Sequence, residues 1–460
     1  MGIKQAHGSS VEWRAIMLHT ARPKGSSKSL FIMQTSHPSA YTEPDLRNAR
    51  GTFACMASAY FLGVFNDNLF KQAAMMLAVA AGRSELQGYA LMAFTLPFLV
   101  FAAPAGWCAD RFSKHHVVIA AKWIELVAML FGAAGLVIGN WILMFTMLLI
   151  MGLQAALFSP ALNGSLPELY PESHVPRANG VLRVLITVGI LAGIGMAGVL
   201  LDQPGTGWWG VDVGRLLVAG TVVGMAVLGV AVSYGVVRRP AADPSARFPW
   251  TGPIHTVGDL LATRQDPLLA LSIGANVFIW FLGSLQILLV NPMGLQQFHL
   301  SKAMTSALLV SQLVGLGAGG LASSRLVHGA RWYRLVGPLG IGLAVTMGGV
   351  ATVPLWPTGL QLPLLFAGVF LLGLLGGAMI VPMESFLQVR PRRERKGAVW
   401  AAANFVVFGG ILLSGLVANQ LNARWAPTVS FGILGIGAML VSVILFGLYR
   451  REERREAKGR

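Results

Sequence analysis

Charge is scarce in this chain. Only 12% of its 460 residues are Asp, Glu, Lys or Arg, against about 25% in an ordinary soluble domain. With 55% hydrophobic residues, it has too little polar surface to cover itself in water. Cysteine is nearly absent: Cys55 and Cys108 are the two present, both inside apolar stretches, which excludes a disulfide scaffold and a cysteine metal cluster. No nucleophile elbow, no Gly-Lys-Ser/Thr phosphate loop and no His-Glu-x-x-His pair occurs, so no catalytic constellation is in view and an ATP-driven pump is excluded for this chain alone. His115 and His116 sit in a basic loop and read as solvated. We expect no enzyme activity, no cofactor and no metal.

Long apolar runs are what the chain has in abundance. Twelve are expected to cross a bilayer as helices, at about 52–80, 86–108, 115–137, 141–162, 178–201, 213–236, 267–290, 303–324, 333–355, 361–386, 398–421 and 427–449, since about 20 apolar residues span the hydrocarbon. The expected class is an all-α membrane protein of two six-helix, pseudo-symmetric halves. Residues 1–51 form a basic, mostly disordered tail, 52–237 the first half, 238–266 a linker, 267–449 the second half and 450–460 a basic tail. Initiation at Met33 fits the sequence equally well.

The net charge of +16 would point to nucleic acid in a soluble protein. Here 30 of the 35 Lys and Arg fall in the two tails, the linker and alternate loops. Positive charge retained on the cytoplasmic side sets topology, so both termini are expected in the cytoplasm. The basic excess is then a topogenic and lipid-surface signal, and no nucleic-acid partner is expected.

Between the second and third spans stands Gly106-Trp107-Cys108-Ala109-Asp110-Arg111-Phe112-Ser113-Lys114, which resembles the signature loop of the major facilitator superfamily. Its logic is a cytoplasmic clasp: Gly106 lets helices approach, while Asp110, Arg111 and Lys114 pair with helix ends across the gate. A plain basic turn is the alternative. A degenerate second copy, Gly320-Leu321-Ala322-Ser323-Ser324-Arg325, sits between spans eight and nine and puts Arg325 at the same gate, where Glu168 and Arg390 also fall.

The series Gly63-Val64-Phe65-Asn66-Asp67-Asn68-Leu69-Phe70, Phe158-Ser159-Pro160-Ala161, Leu166-Pro167-Glu168-Leu169, Ala178-Asn179-Gly180 and Val381-Pro382 resembles the bacterial lysophospholipid transporter family of the inner membrane. The resemblance covers roughly residues 52 to 450 and is densest in the first half. It implies alternating-access movement of lysophospholipid, a multi-pass location among membrane lipids, and a separate acyltransferase as a possible partner. Two departures stand out. Where the family has Lys after Phe-Ser-Pro-Ala this chain has Leu162, and the family's helix-seven Arg is replaced within Leu285-Gln286-Ile287. A proton-coupled carrier for a small amphiphile or drug is the alternative function, with Asp67 as proton carrier. A membrane-embedded lipid enzyme or scaffold is a third, disfavoured by the missing catalytic groups.

Ionisable groups inside spans cost about 2.5 kcal/mol or more and normally face a cavity. Asp67 and Lys71, four residues apart, share a helix face and can pair along it. With Asn66 and Asn68 they form the leading substrate or coupling site, a structural ion pair being the alternative. Glu125 is expected to pair structurally with Lys122. Glu384 is either a partner of Arg390 or a substrate contact, and Gln286 offers hydrogen bonds where relatives offer charge. Gly189 to Gly198 and Gly315 to Gly320 read as helix-packing surfaces. On this topology, reporter fusions after Lys114, Pro240 and Arg395 should all report a cytoplasmic location, and a periplasmic signal at any one would break the twelve-span reading.

Overall fold

The computed structural model describes residues 43–170, 174–236, 240–241, 243–250, 252–326, 332–392 and 395–458. Side chains at 43–48, 163–164, 166–168, 176, 253–255, 324–326 and 456–458 also lie outside the described residues. Met33 and the side chains of Glu168 and Arg325 therefore carry no structural account.

Twelve long helices and one short one follow in order. The first half is α1 (Glu43–Ala80), α2 (Glu85–Arg111), α3 (Lys114–Ile138), α4 (Trp141–Leu169), α5 (Val175–Leu201) and α6 (Val213–Ser233). The linker contains α7 (Gly252–Ala262), a helix the sequence reading did not foresee. The second half is α8 (Pro267–Pro292), α9 (Lys302–Leu326), α10 (Val336–Thr352), α11 (Thr358–Val389), α12 (Lys396–Arg424) and α13 (Pro427–Lys458). Among the described residues, eleven helices are long and apolar enough to cross a membrane. α1 is the twelfth: the polar run Asn66 to Gln72 lowers its hydropathy, yet its Phe65, Leu69, Phe70 and Met76 lie in the core of the first half. An even number of spans puts both ends of the described chain on one side, called here the proximal end.

The packing carries the pseudo-symmetry. α1 packs on α5 as α8 does on α12, α2 on α4 as α9 on α11, and α3 on α6 as α10 on α13. Between the halves the most extensive packing is α2 on α12 and α5 on α9, which the same exchange interconverts. Each half has its own apolar core, while Ile142, Val345, Ile436 and Leu440 point outward and exposed, as lipid-facing side chains do. Trp208, Trp209, Trp356 and Trp425 are exposed at the distal loops, where an aromatic belt belongs.

Lipid tails are as apolar as leucine, so helix pairing rests on close van der Waals contact rather than on the hydrophobic effect. The α9–α11 seam shows it. Gly315 and Gly319 lie against the carbonyls of Phe370 and Leu374, and Gly373 and Gly377 against those of Gln312 and Leu316, with no room for a Cβ at any of the four. In the first half Gly193 does the same against Phe65 of α1. Gly106 does not: a Cβ there meets nothing, so the close approach expected of the signature loop is made by its second copy, where a Cβ on Gly320 would come within 2.9 Å of Val381.

Gly373→Ala and Gly377→Ala should each cost more than the about 1–3 kcal/mol of ordinary overpacking, because the obstacle is backbone. Thermal unfolding in detergent should show both well below wild type, with Gly348→Ala, which has open space, unchanged.

Candidate functional site

The two halves are joined at the distal end. Asp202, at the end of α5, accepts hydrogen bonds from the backbone N–H groups of Lys302 (3.0 Å) and Ala303 (2.7 Å), the first residues of α9. Helix starts leave such donors unpaired and favour negative charge, so one half caps a helix of the other. Pro292, which lacks an N–H, ends α8 and leads into a π-helical turn at Met293–Gln297. Gln296 of that turn donates to the Val79 carbonyl (2.9 Å) and accepts from Ser84 (3.2 Å). Deeper in, Gln72 of α1 donates to Asn291 of α8, which donates to Gln87 of α2, each at 2.9 Å.

At the proximal end the signature loop holds the linker. Trp107 and Arg111 both donate to the Ala246 carbonyl (3.0 and 3.3 Å), and the Asp243 N–H donates to the Asp110 carbonyl (2.9 Å). Hydrogen bonds from Ser245 hold the exposed Asp243 carboxyl below the usual range. The Asp110 side chain is exposed and Lys114 is buried. Arg390 pairs with Asp266 at the start of α8 (2.8 Å), so the expected partnership of Arg390 with Glu384 is not made. The reason is reach: Asp266 caps α8 through its bond from Leu269 N (3.2 Å) and lies beside the end of α11.

The charged centre of the first half is larger than the sequence indicated. Lys122 and Glu125 are fully buried and paired at 2.6 Å. Gln154 of α4 donates to the same carboxylate oxygen (3.4 Å), and the Lys122 ammonium lies 5.1 Å from the centre of the Phe158 ring. Gly63 of α1 leaves the space for this pair: a Cβ there would stand 2.8 Å from the Lys122 nitrogen. Asp67 follows one turn later, within electrostatic reach of Glu125, Lys122 and Lys71. Among the described residues its Oδ1 has no hydrogen-bond partner, nor has Glu125 Oε1.

Asp67 and Lys71 are half-buried and do not close an ion pair. The Lys71 ammonium turns instead toward the Phe94 ring of α2, 4.7 Å from its centre. Asn66 points away into the first half, donating to the Val222 carbonyl of α6 (2.8 Å), and Asn68 donates to Val64 on its own helix (2.7 Å). Gln286 accepts from Gln312 of α9 (2.6 Å) inside the second half. Glu384 is half-buried on α11, in the other half from Asp67, near the Trp280 indole of α8 and within electrostatic reach of Arg183 of α5.

Arg183 was not among the residues the sequence singled out. It was counted with the basic loop before the fifth span, as Lys122 was with the loop before the third, whereas both lie inside helices. The available signal was position alone: Arg183 follows six residues after Arg177, beyond the start of the apolar run.

Residues 52–414 match the family model of the Major Facilitator Superfamily. The chain is 30% identical over 420 residues to the lysophospholipid transporter LplT of Klebsiella pneumoniae, covering 88% of this chain and 97% of that one. It is 30% identical over 425 residues to the LplT of Enterobacter sp. strain 638, covering 91% and 99%. Among solved structures it resembles a bacterial homolog of the human lysosomal transporter Spinster in an inward-facing, unoccupied conformation (TM-score 0.66, 14% identity, 91% of this chain and 99% of that one). It likewise resembles a D-xylose–proton symporter (TM-score 0.66, 15% identity, 86% and 97%).

Removing one member of a buried pair strands the other in low dielectric, whereas removing both is tolerated. Lys122→Met should therefore lower stability by about 3–5 kcal/mol, and adding Glu125→Leu should restore most of it. Asp67→Asn should fold normally and lose transport. Detergent melting curves beside substrate flux check both, and a normally active Asp67→Asn would remove Asp67 from the site.

Proposed function

Because the chain belongs to the Major Facilitator Superfamily and, within it, to the family of the LplT transporters, we propose that it moves lysophospholipid, or a closely related single-chain amphiphile, across a bacterial inner membrane by alternating access. The observation that carries the substrate class is similarity to LplT proteins over nearly the whole length of both chains.

The halves are latched at the distal end by Asp202 and by the turn after Pro292. With both termini in the cytoplasm, as the basic loops favour, the latched end is periplasmic and the cavity opens inward. The roles of Asp67 and Lys71 as substrate or coupling residues, and of Asp110, Arg111 and Lys114 as gate residues, belong to this proposal. The chain moves its substrate without changing it, so re-acylation would fall to a separate acyltransferase.

A second reading, a proton-coupled carrier, draws support from Asp67, whose Oδ1 is buried with no hydrogen-bond partner among the described residues, near the Lys122–Glu125 pair and Lys71. Proteoliposomes loaded with labelled lysophosphatidylethanolamine, read by extraction from one leaflet with and without an imposed pH difference, separate the two. Protein-dependent movement between leaflets without a gradient is the expected result. Movement of a soluble amphiphile only when a gradient is imposed would replace it with the second reading.

A further inference from the structure

Along the outer side of α13 one stripe of residues changes character on its way to the proximal end. Ile436, Leu440, Val443, Gly447, Arg450 and Arg454 follow one another at alternating spacings of four and three residues, which lines them up on a single face of the helix. The three apolar members are 68%, 62% and 53% exposed, as side chains against lipid are. The two arginines that end the line are exposed as well. Arg451, one turn beyond Gly447, is also exposed and widens the basic end.

Packing on the inner side holds this face outward. Tyr449 is buried, stacks on Tyr333 with ring centres 5.9 Å apart, and donates a hydrogen bond to Ser272 of α8 (3.4 Å). Glu453 pairs with Arg334, just before α10, and Glu452 pairs with Arg455 (2.9 Å). These two acids are therefore engaged, and among the described residues Arg450, Arg451 and Arg454 have no carboxylate partner. The Arg450 guanidinium lies over the Phe446 ring, 4.3 Å from its centre, a contact that orders a cation without neutralising it. Phe446, Gly447 and the arginines line a groove of about 470 Å³. A Cβ on Gly447 would meet nothing within 4 Å, so no side chain fills the groove at that point.

Positive charge at the end of a span is enough to set topology, and Lys or Arg in any arrangement would supply it. Topology does not require a groove, a guanidinium ordered on a ring, or an apolar strip in line with both. A guanidinium fork matches a phosphate, and the strip below it matches acyl chains. We propose that the proximal end of α13 is a binding site for a diacyl anionic phospholipid of the surrounding leaflet. Its phosphate sits on Arg450, Arg451 and Arg454 above Gly447, and its chains lie along Ile436, Leu440 and Val443. The site is on the lipid-facing surface of the second half, so the lipid it holds is retained and not transported.

The test uses the full chain, purified in mild detergent, stripped of lipid and titrated with phosphatidylglycerol or with zwitterionic phosphatidylethanolamine. Bound lipid is counted by native mass spectrometry beside the melting temperature. Phosphatidylglycerol should bind about tenfold more tightly or better, raise the melting temperature, and lose part of its advantage in high salt, since the arginines are exposed. Combined Arg450→Gln, Arg451→Gln and Arg454→Gln should abolish the preference, and the corresponding triple Lys variant should recover only part of it. Gly447→Leu keeps every charge but fills the groove, and should weaken phosphatidylglycerol by about tenfold. An undiminished preference in the triple Gln variant would overturn the site. Loss in that variant with wild-type binding by both Gly447→Leu and the triple Lys variant would mean diffuse surface charge, which also overturns it. Acyl-free glycerophosphoglycerol stabilising as well as the lipid would remove the lipid from the proposal. Lipid-free melting temperatures equal to wild type show that the variants are folded; should the Gln variant fail this, Gly447→Leu decides alone.

Discussion

One carboxylate shuts the molecule at one end. Asp202 receives the first two N–H groups of α9, donors that no helix can satisfy from within, and so ties the end of one half to the beginning of a helix in the other. The π-helical turn after Pro292 adds Gln296 toward α1 and α2, and Gln297 toward Thr428 of α13 (2.7 Å). All these contacts lie near the distal surface. Water can replace each bond when the halves part, and the net worth of such an exchange is only about 0.5–1.5 kcal/mol per bond. The latch is therefore firm as a set and reversible member by member, as a rocking mechanism requires. With that end closed, the space between the halves is reached from the other.

Closure at one end sorts the membrane-embedded charges into two kinds. Lys122 and Glu125 are sealed, bonded to each other and backed by an aromatic ring and two glycines. Their pairing offsets the cost of taking both from water, and they hold α3 against α1, α4 and α6. Asp67, Lys71 and Glu384 are half-buried, Arg183 is exposed, and none of the four has a direct ion-pair partner among the described residues. A charge with no partner inside a membrane protein is stable only beside water or a ligand. Asp67 belongs with the second kind yet lies near the sealed pair.

The spans were legible because bilayer thickness imposes a length and the unsatisfied backbone imposes a helix. The helices begin and end within a few residues of the apolar runs, except where α1, α4 and α13 extend past the hydrocarbon as polar or amphipathic ends. α7 escaped notice because eleven residues between Pro-rich turns carry no span-length signal. The glycine seams were also readable, since spacing of four on α9 and α11 places small residues on one face. Side-chain direction was less so. Asp67 and Lys71 lie on one face, yet Phe94 offers the ammonium an alternative that only tertiary structure supplies. Counting basic residues by loop gave an expected topology but hid Arg183, because a charge at the edge of a span reads as topogenic whatever it faces.

The two departures from the family pattern acquire a physical meaning here. Leu162, where the resemblance leads one to expect Lys, is fully buried among apolar side chains of the first half, a place where an ammonium would have no partner. Gln286, where it leads one to expect Arg, is bonded to Gln312 within the second half and contributes no charge to the gap. Both positions have thus become packing. The two replacements also leave the scaffold intact, because neither position belongs to the glycine seams or to the distal latch.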